Sequence, residues 1–102
     1  MKRPADSKVG LMLSKTFEVQ FTNEAIADYG RLDADMERRV NTALNILMNN
    51  PLFGPNITKL HGRYAGLYRY RVGRYRIIYR IDKQHRKCII RGIRTRGKVY
   101  AP

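Results

Sequence analysis

Leu67-Tyr68-Arg69-Tyr70-Arg71-Val72-Gly73-Arg74-Tyr75-Arg76-Ile77-Ile78-Tyr79-Arg80-Ile81 reads as a β-hairpin whose strands alternate arginine with tyrosine, valine or isoleucine. Side chains alternate faces along a strand, so Tyr75, Ile77, Tyr79 and Ile81 share one face. Arg74, Arg76 and Arg80 share the other with Ile78, and in the preceding strand Arg69 and Arg71 likewise point the same way. Gly73 sits where the hairpin reverses. One face can therefore pack a core while the other carries guanidinium groups. Like charges held side by side repel unless an anion lies across them. The basic face reads either as an anion-binding surface or as a solvated one.

Charge along the rest of the chain sharpens that choice. The 102 residues carry a net charge of +13 and 43% hydrophobic residues, enough for one domain with one modest core. Up to Asn56, seven basic residues balance seven acidic ones; from Ile57 onward fourteen Lys or Arg face the single acid Asp82. The whole excess thus lies in the second half. A field of this kind attracts polyanions: nucleic acid first, an acidic protein segment second, an anionic membrane surface a distant third.

Other chemistries find little support. Cys88 is the only cysteine, which excludes an internal disulfide framework and suits a cytoplasmic protein. Its place in an apolar strand reads as a small buried hydrophobe, although basic neighbours could lower its pKa. His61 and His85 are too few, with one cysteine, for a zinc site, and no metal or other cofactor is expected. His61 lies in a turn and His85 in a polar connection; neither has the company of a catalytic histidine. No apolar run approaches a membrane span, no carboxylate pair or glycine-rich phosphate loop appears, and the N-terminus does not read as a secretory signal.

Residues 1–14 read as a flexible extension and 15–102 as a single domain. Thr16 to Phe21 alternates as a half-buried strand. A short helix follows from about Asn23, with Ala25, Ile26, Tyr29 and Leu32 as its apolar stripe. Asp33 is an N-cap candidate, and Met36, Val40, Ala43, Leu44 and Leu47 recur at helical spacing through Asn49. Pro51, Gly54 and Pro55 impose a loop, and a turn around Leu60-His61-Gly62 leads into the hairpin. Asp82 to Arg86 connect it to a last strand, Lys87 to Ile93. The order β-α-α-β-β-β predicts an α+β fold, with two helices packed on one face of a largely antiparallel, twisted sheet.

That order, with Lys59-Leu60-His61-Gly62, the Leu67–Tyr79 hairpin and a closing Arg94-Thr95-Arg96-Gly97-Lys98-Val99-Tyr100, resembles the RelE/ParE superfamily of bacterial type II toxins. The resemblance runs from about Thr16 to Tyr100 and implies the RelE-like fold. It implies one of two activities. RelE-type toxins are endoribonucleases that cut mRNA in the ribosomal A site; ParE-type toxins inhibit DNA gyrase without cutting RNA. A third reading is an RNA-binding module without chemistry.

Carried over from the RelE pattern, the catalytic positions are Arg69, Arg71, Arg76, Arg96 and Tyr100. Arg76 would grip the scissile phosphate through two oxygens at once. RelE has lysines where this chain has Arg69 and Arg71. Arginine keeps the charge but stays protonated, so it cannot serve as a general base. Aligned forward from the last strand, Arg94 rather than Arg96 takes the late arginine position. Lys59, Arg63, Arg74, Arg80 and Arg94 are RNA-tracking candidates. The partners implied are an acidic cognate antitoxin, the ribosome and mRNA, in the cytoplasm and away from membranes.

Overall fold

A computed structural model describes residues 16–95. The extension at 1–14, Arg96 and Tyr100 lie outside the described residues. Strand β1 (Glu18–Phe21) leads into helices α1 (Asn23–Gly30) and α2 (Ala34–Asn49). Strands β2 (Ile57–Lys59), β3 (Leu67–Val72), β4 (Tyr75–Asp82) and β5 (Lys87–Thr95) complete the fold, with a single 3-10 turn, Gly62–Tyr64, before β3. The five strands form one sheet in the order β1-β5-β4-β3-β2. Strand β1 runs parallel to β5 and every other pairing is antiparallel. The predicted α+β arrangement holds, with one strand more than expected. Strand β2 is only three residues long, too short to show a period in the sequence, and it exists because β3 offers it an edge.

Local chemistry explains both helices. Thr22 caps α1 by accepting from the Ala25 N–H, and Asp33 caps α2 by accepting from the Met36 N–H at 2.8 Å. Asp35 and Glu37 lie in the first turn of α2, where the helix dipole favours negative charge. Met36, Val40, Ala43 and Leu47 bury their side chains against the sheet, meeting Tyr70, Val72, Ile77, Tyr79, Cys88, Ile90 and Ile93. The stripe expected on α1 holds at Ala25, which is buried, and at Tyr29 and Leu32, which pack against the core. It fails at Ile26, which is 57% exposed, while Asp28 is buried.

The alternation of the hairpin holds, and Ile78 shares the face of Arg69. It is buried there against Leu67, with Leu60 and Tyr64 packed over it. The sheet thus has its main core on the helix side and a small apolar cluster at one end of the other side. A bulge between Ile78 and Tyr79 pairs Tyr79 with Ile90 but Ile78 with Gly92, so Arg91 is the extra residue of β5. Strand β5 thereby changes phase. Cys88 and Ile90 face the helices, and beyond the bulge Ile93 does, which puts Arg94 opposite Arg76.

Among the described residues, no helix is long and apolar enough to cross a membrane, and no group of three His, Cys, Asp or Glu is placed to hold a metal ion.

Candidate functional site

The hairpin register decides which arginines meet. Arg71 lies directly opposite Arg76, and Arg69 opposite Ile78, so all four side chains project from the face away from the helices. Thr58 of β2 stands opposite Arg69 and extends that face to the sheet edge. The backbone of Asn56 continues the edge by accepting from the Arg71 N–H at 3.0 Å. The result is a cleft of about 200 Å³ lined by Pro55, Asn56, Thr58, Arg69, Arg71 and Arg76.

The loop forming the outer wall of this cleft is held from the opposite side of the sheet. The Tyr79 hydroxyl, fully buried, donates to the Pro51 carbonyl at 2.8 Å, and the Tyr68 ring stacks on Tyr79 with centroids 5.5 Å apart. Burial holds the Tyr79 hydroxyl far above the ordinary phenol range, so it stays a donor at any physiological pH. The core tyrosine thus fixes the start of the segment that presents Pro55 and Asn56.

No acid is among the described residues that line the cleft. Among the described residues, Arg69, Arg71, Arg74 and Arg80 have no salt-bridge partner, whereas Arg31 and Arg94 both reach Asp28, and Arg38 reaches Asp35. Three guanidinium groups on one wall can hold the non-bridging oxygens of a phosphodiester and neutralise charge that develops on them. None can take up a proton, and the cleft lining contains no other titratable side chain.

The remaining predicted positions disperse. Arg63, in the 3-10 turn, and Arg74, in the hairpin turn, are exposed, as is Arg80, which stands opposite Leu67 at the far end of the hairpin. Lys59 pairs with Tyr68, so its side chain leaves the sheet on the helix side. Arg94 is drawn away to Asp28, with Nε 3.0 Å from Oδ2, and lines a separate cleft with Arg31, Leu32, Tyr75 and Thr95. His61 is exposed, and His85 meets Asp82 at 2.9 Å, a hydrogen bond that lowers the Asp82 pKa. Cys88 is fully buried, and burial pushes its thiol up to about 12, against the lowering that its basic neighbours suggested.

Sequence reasoning missed Asn56, Thr58 and Asp28. The first two carry no signal beyond a loop followed by one alternation. Asp28 is a buried carboxylate at the sheet edge, where Oδ2 also accepts from the Ile93 N–H at 2.9 Å and Oδ1 from Arg31 at 2.7 Å. Its only signal was an acid inside an otherwise apolar helix stripe.

Comparison with known proteins agrees with this architecture. The model of the ParE toxin of type II toxin–antitoxin systems, parDE, matches residues 19–100. No curated protein matches the chain. Among solved structures, the RelBE2 toxin–antitoxin complex of Mycobacterium tuberculosis is 30% identical with a TM-score of 0.71, covering 79% of this chain and 99% of that one. The archaeal RelE–RelB complex of Pyrococcus horikoshii is 27% identical with a TM-score of 0.68, covering 82% of this chain and 99% of that one. The isolated E. coli RelE toxin shares the fold at 16% identity, with a TM-score of 0.67 and coverage of 78% and 83%. With a match that spans nearly the whole sheet and both helices, the chain belongs to the ParE toxin family of type II toxin–antitoxin systems, within the RelE/ParE superfamily.

Proposed function

We propose that this toxin is a ribosome-dependent endoribonuclease that cleaves mRNA. The observation that carries the reading is the meeting of Arg69, Arg71 and Arg76 in one cleft whose described lining holds no acid. Similarity to the RelE proteins of M. tuberculosis and P. horikoshii supports it. The ribose 2′-oxygen attacks the adjacent phosphorus, the bond from phosphorus to the 5′-oxygen breaks, and the products are a 2′,3′-cyclic phosphate and a 5′-hydroxyl. Arg76 holds the phosphate while Arg69 and Arg71 neutralise the phosphorane oxygens. The 2′-proton passes to water or to a ribosomal group, and the leaving 5′-oxygen takes up a proton from water or from a ribosomal group, because the arginines stay charged. Arg96 or Arg94 near the leaving oxygen, and Tyr100 stacking on a base, complete the assignment. The acidic partner that masks this face is a cognate antitoxin; both the M. tuberculosis and the P. horikoshii toxins were solved bound to theirs.

One observation favours a second reading, a gyrase inhibitor without nuclease activity: the described lining of the cleft offers charge but no base. Mapping mRNA 5′ ends in a cell-free translation reaction separates the two. New ends within the A-site codon, dependent on ribosomes and about 100-fold fewer with Arg76→Ala, are the expected result. Intact mRNA together with blocked supercoiling by gyrase would establish the second reading instead.

A further inference from the structure

Helix α2 carries adjacent arginines with opposite surroundings. Arg38 is paired with Asp35 at 2.8 Å. Arg39, turned one residue round the helix, has no hydrogen-bond or salt-bridge partner among the described residues. It lies instead against the tip of the hairpin. Gly73 adopts a φ of +57°, and a Cβ there would come within 2.8 Å of Arg39 Nη2 and 3.2 Å of Cζ. Glycine thus does two things at this turn. It supplies the left-handed conformation, and it lets a helix-borne guanidinium rest on the backbone of the hairpin.

Arg39 thereby lines a space that adjoins the arginine cleft. A trough of about 360 Å³ is lined by Arg39, Thr42, Asn56, Tyr70, Arg71 and Gly73, among others. The cleft holding Arg69 and Arg76 is lined by Asn56 and Arg71 as well, so these two residues form the wall common to both spaces. Arg71 is exposed between them. A strand that carries one negative charge per nucleotide fits two adjoining cationic clefts better than a compact anion does. On the RNA reading above, we propose that the trough is a second phosphate subsite, in which Arg39 binds the phosphate next to the one held by Arg69, Arg71 and Arg76.

Binding of short 2′-O-methyl RNA, which cannot be cleaved by 2′-oxygen attack, tests this by fluorescence anisotropy across a salt series with the full chain. Each phosphate neutralised on a single strand contributes about 0.7 to the slope of log affinity against log salt. Arg39→Ala should weaken a tetranucleotide about five- to tenfold and lower that slope by about 0.7. Arg39→Lys should keep the slope, and Arg38→Ala should leave affinity within about twofold. Thr42 is exposed on the helix, so Thr42→Glu gives a second, fold-preserving variant that should weaken binding by repulsion. Wild-type affinity that is retained in Arg39→Ala but lost in Arg71→Ala would overturn the second subsite and leave the RNA reading standing. Equal losses in Arg38→Ala and Arg39→Ala would also overturn it, as general attraction. No RNA binding by the wild type would overturn the nuclease reading itself.

Discussion

The two sides of the sheet treat arginine in opposite ways. On the helix side and along the β5 edge, three arginines are matched by acids: Asp28 serves Arg31 and Arg94, and Asp35 serves Arg38. On the open face Arg71 is held opposite Arg76, with no acid among the described residues that line their cleft. One chain thus keeps arginines matched by acids beside a surface on which like charges face each other. Repulsion of this kind is tolerated where binding an anion relieves it, and such surfaces trade stability for function. The helical layer holds the fold together; the open face is held in place by it.

Breaking the matched side should cost most. Asp28→Ala removes three hydrogen bonds, strips the Ile93 N–H of its acceptor and leaves Arg94 without its anion. A loss of about 2–4 kcal/mol is expected in urea unfolding, less than for a fully buried pair because Arg31 is 69% exposed. A loss under about 1 kcal/mol would mean that Asp28 is no keystone of the edge.

Tyr79→Phe probes the link between the sides. The Pro51 carbonyl would lose its buried donor, at a cost of about 1–3 kcal/mol. The wall bearing Asn56 would loosen, so RNA affinity should fall together with stability. Stability falling alone would show that the arginine cleft does not depend on the core tyrosine.

Cys88 measures how far the basic field penetrates. Its folded pKa is about 12, above the unfolded value of about 8.5, so the folded state keeps a proton that the unfolded chain releases. The thiol's contribution is therefore fully present below about pH 8.5 and declines as pH rises toward about 12. Between about pH 8 and pH 10, wild type should lose roughly 1–2 kcal/mol more than Cys88→Ala does. A thiol that alkylates readily in the native protein at neutral pH would show the basic face reaching the core.

The smallest effect carries the opposite sign. Arg71→Ala relieves a directly opposed like-charge pair and should stabilise the fold by about 0.3–1 kcal/mol while RNA binding weakens. The gain should shrink in high salt. Equal destabilisation by Arg71→Ala and by Arg38→Ala would erase the distinction between the two sides.

Much of this architecture was legible in the sequence because it is local. Asp33 capping α2, the 3.6-residue spacing of Met36, Val40, Ala43 and Leu47, and Gly73 at a positive φ all depend on residues a few positions apart. The Arg/Tyr alternation likewise fixed which hairpin side chains share a face, and so placed Arg69, Arg71 and Arg76 together.

What the sequence could not decide were the pairings. Strand β2 is defined only by β3 beside it, and the phase of β5 only by the bulge that makes Arg91 extra. That phase change sets Arg94 opposite Arg76, and Asp28, 66 positions away, then draws its guanidinium to the sheet edge. Asn56 became a shared wall and Arg39 a neighbour of Gly73 by the same kind of contact. Periodicity and caps report the torsions and near neighbours of each residue, so the chain by itself determined the elements and the face that bears the charge. Only tertiary structure decided which cations were matched by acids and which were left to meet a ligand, because that depends on which distant residues the packing brings within reach.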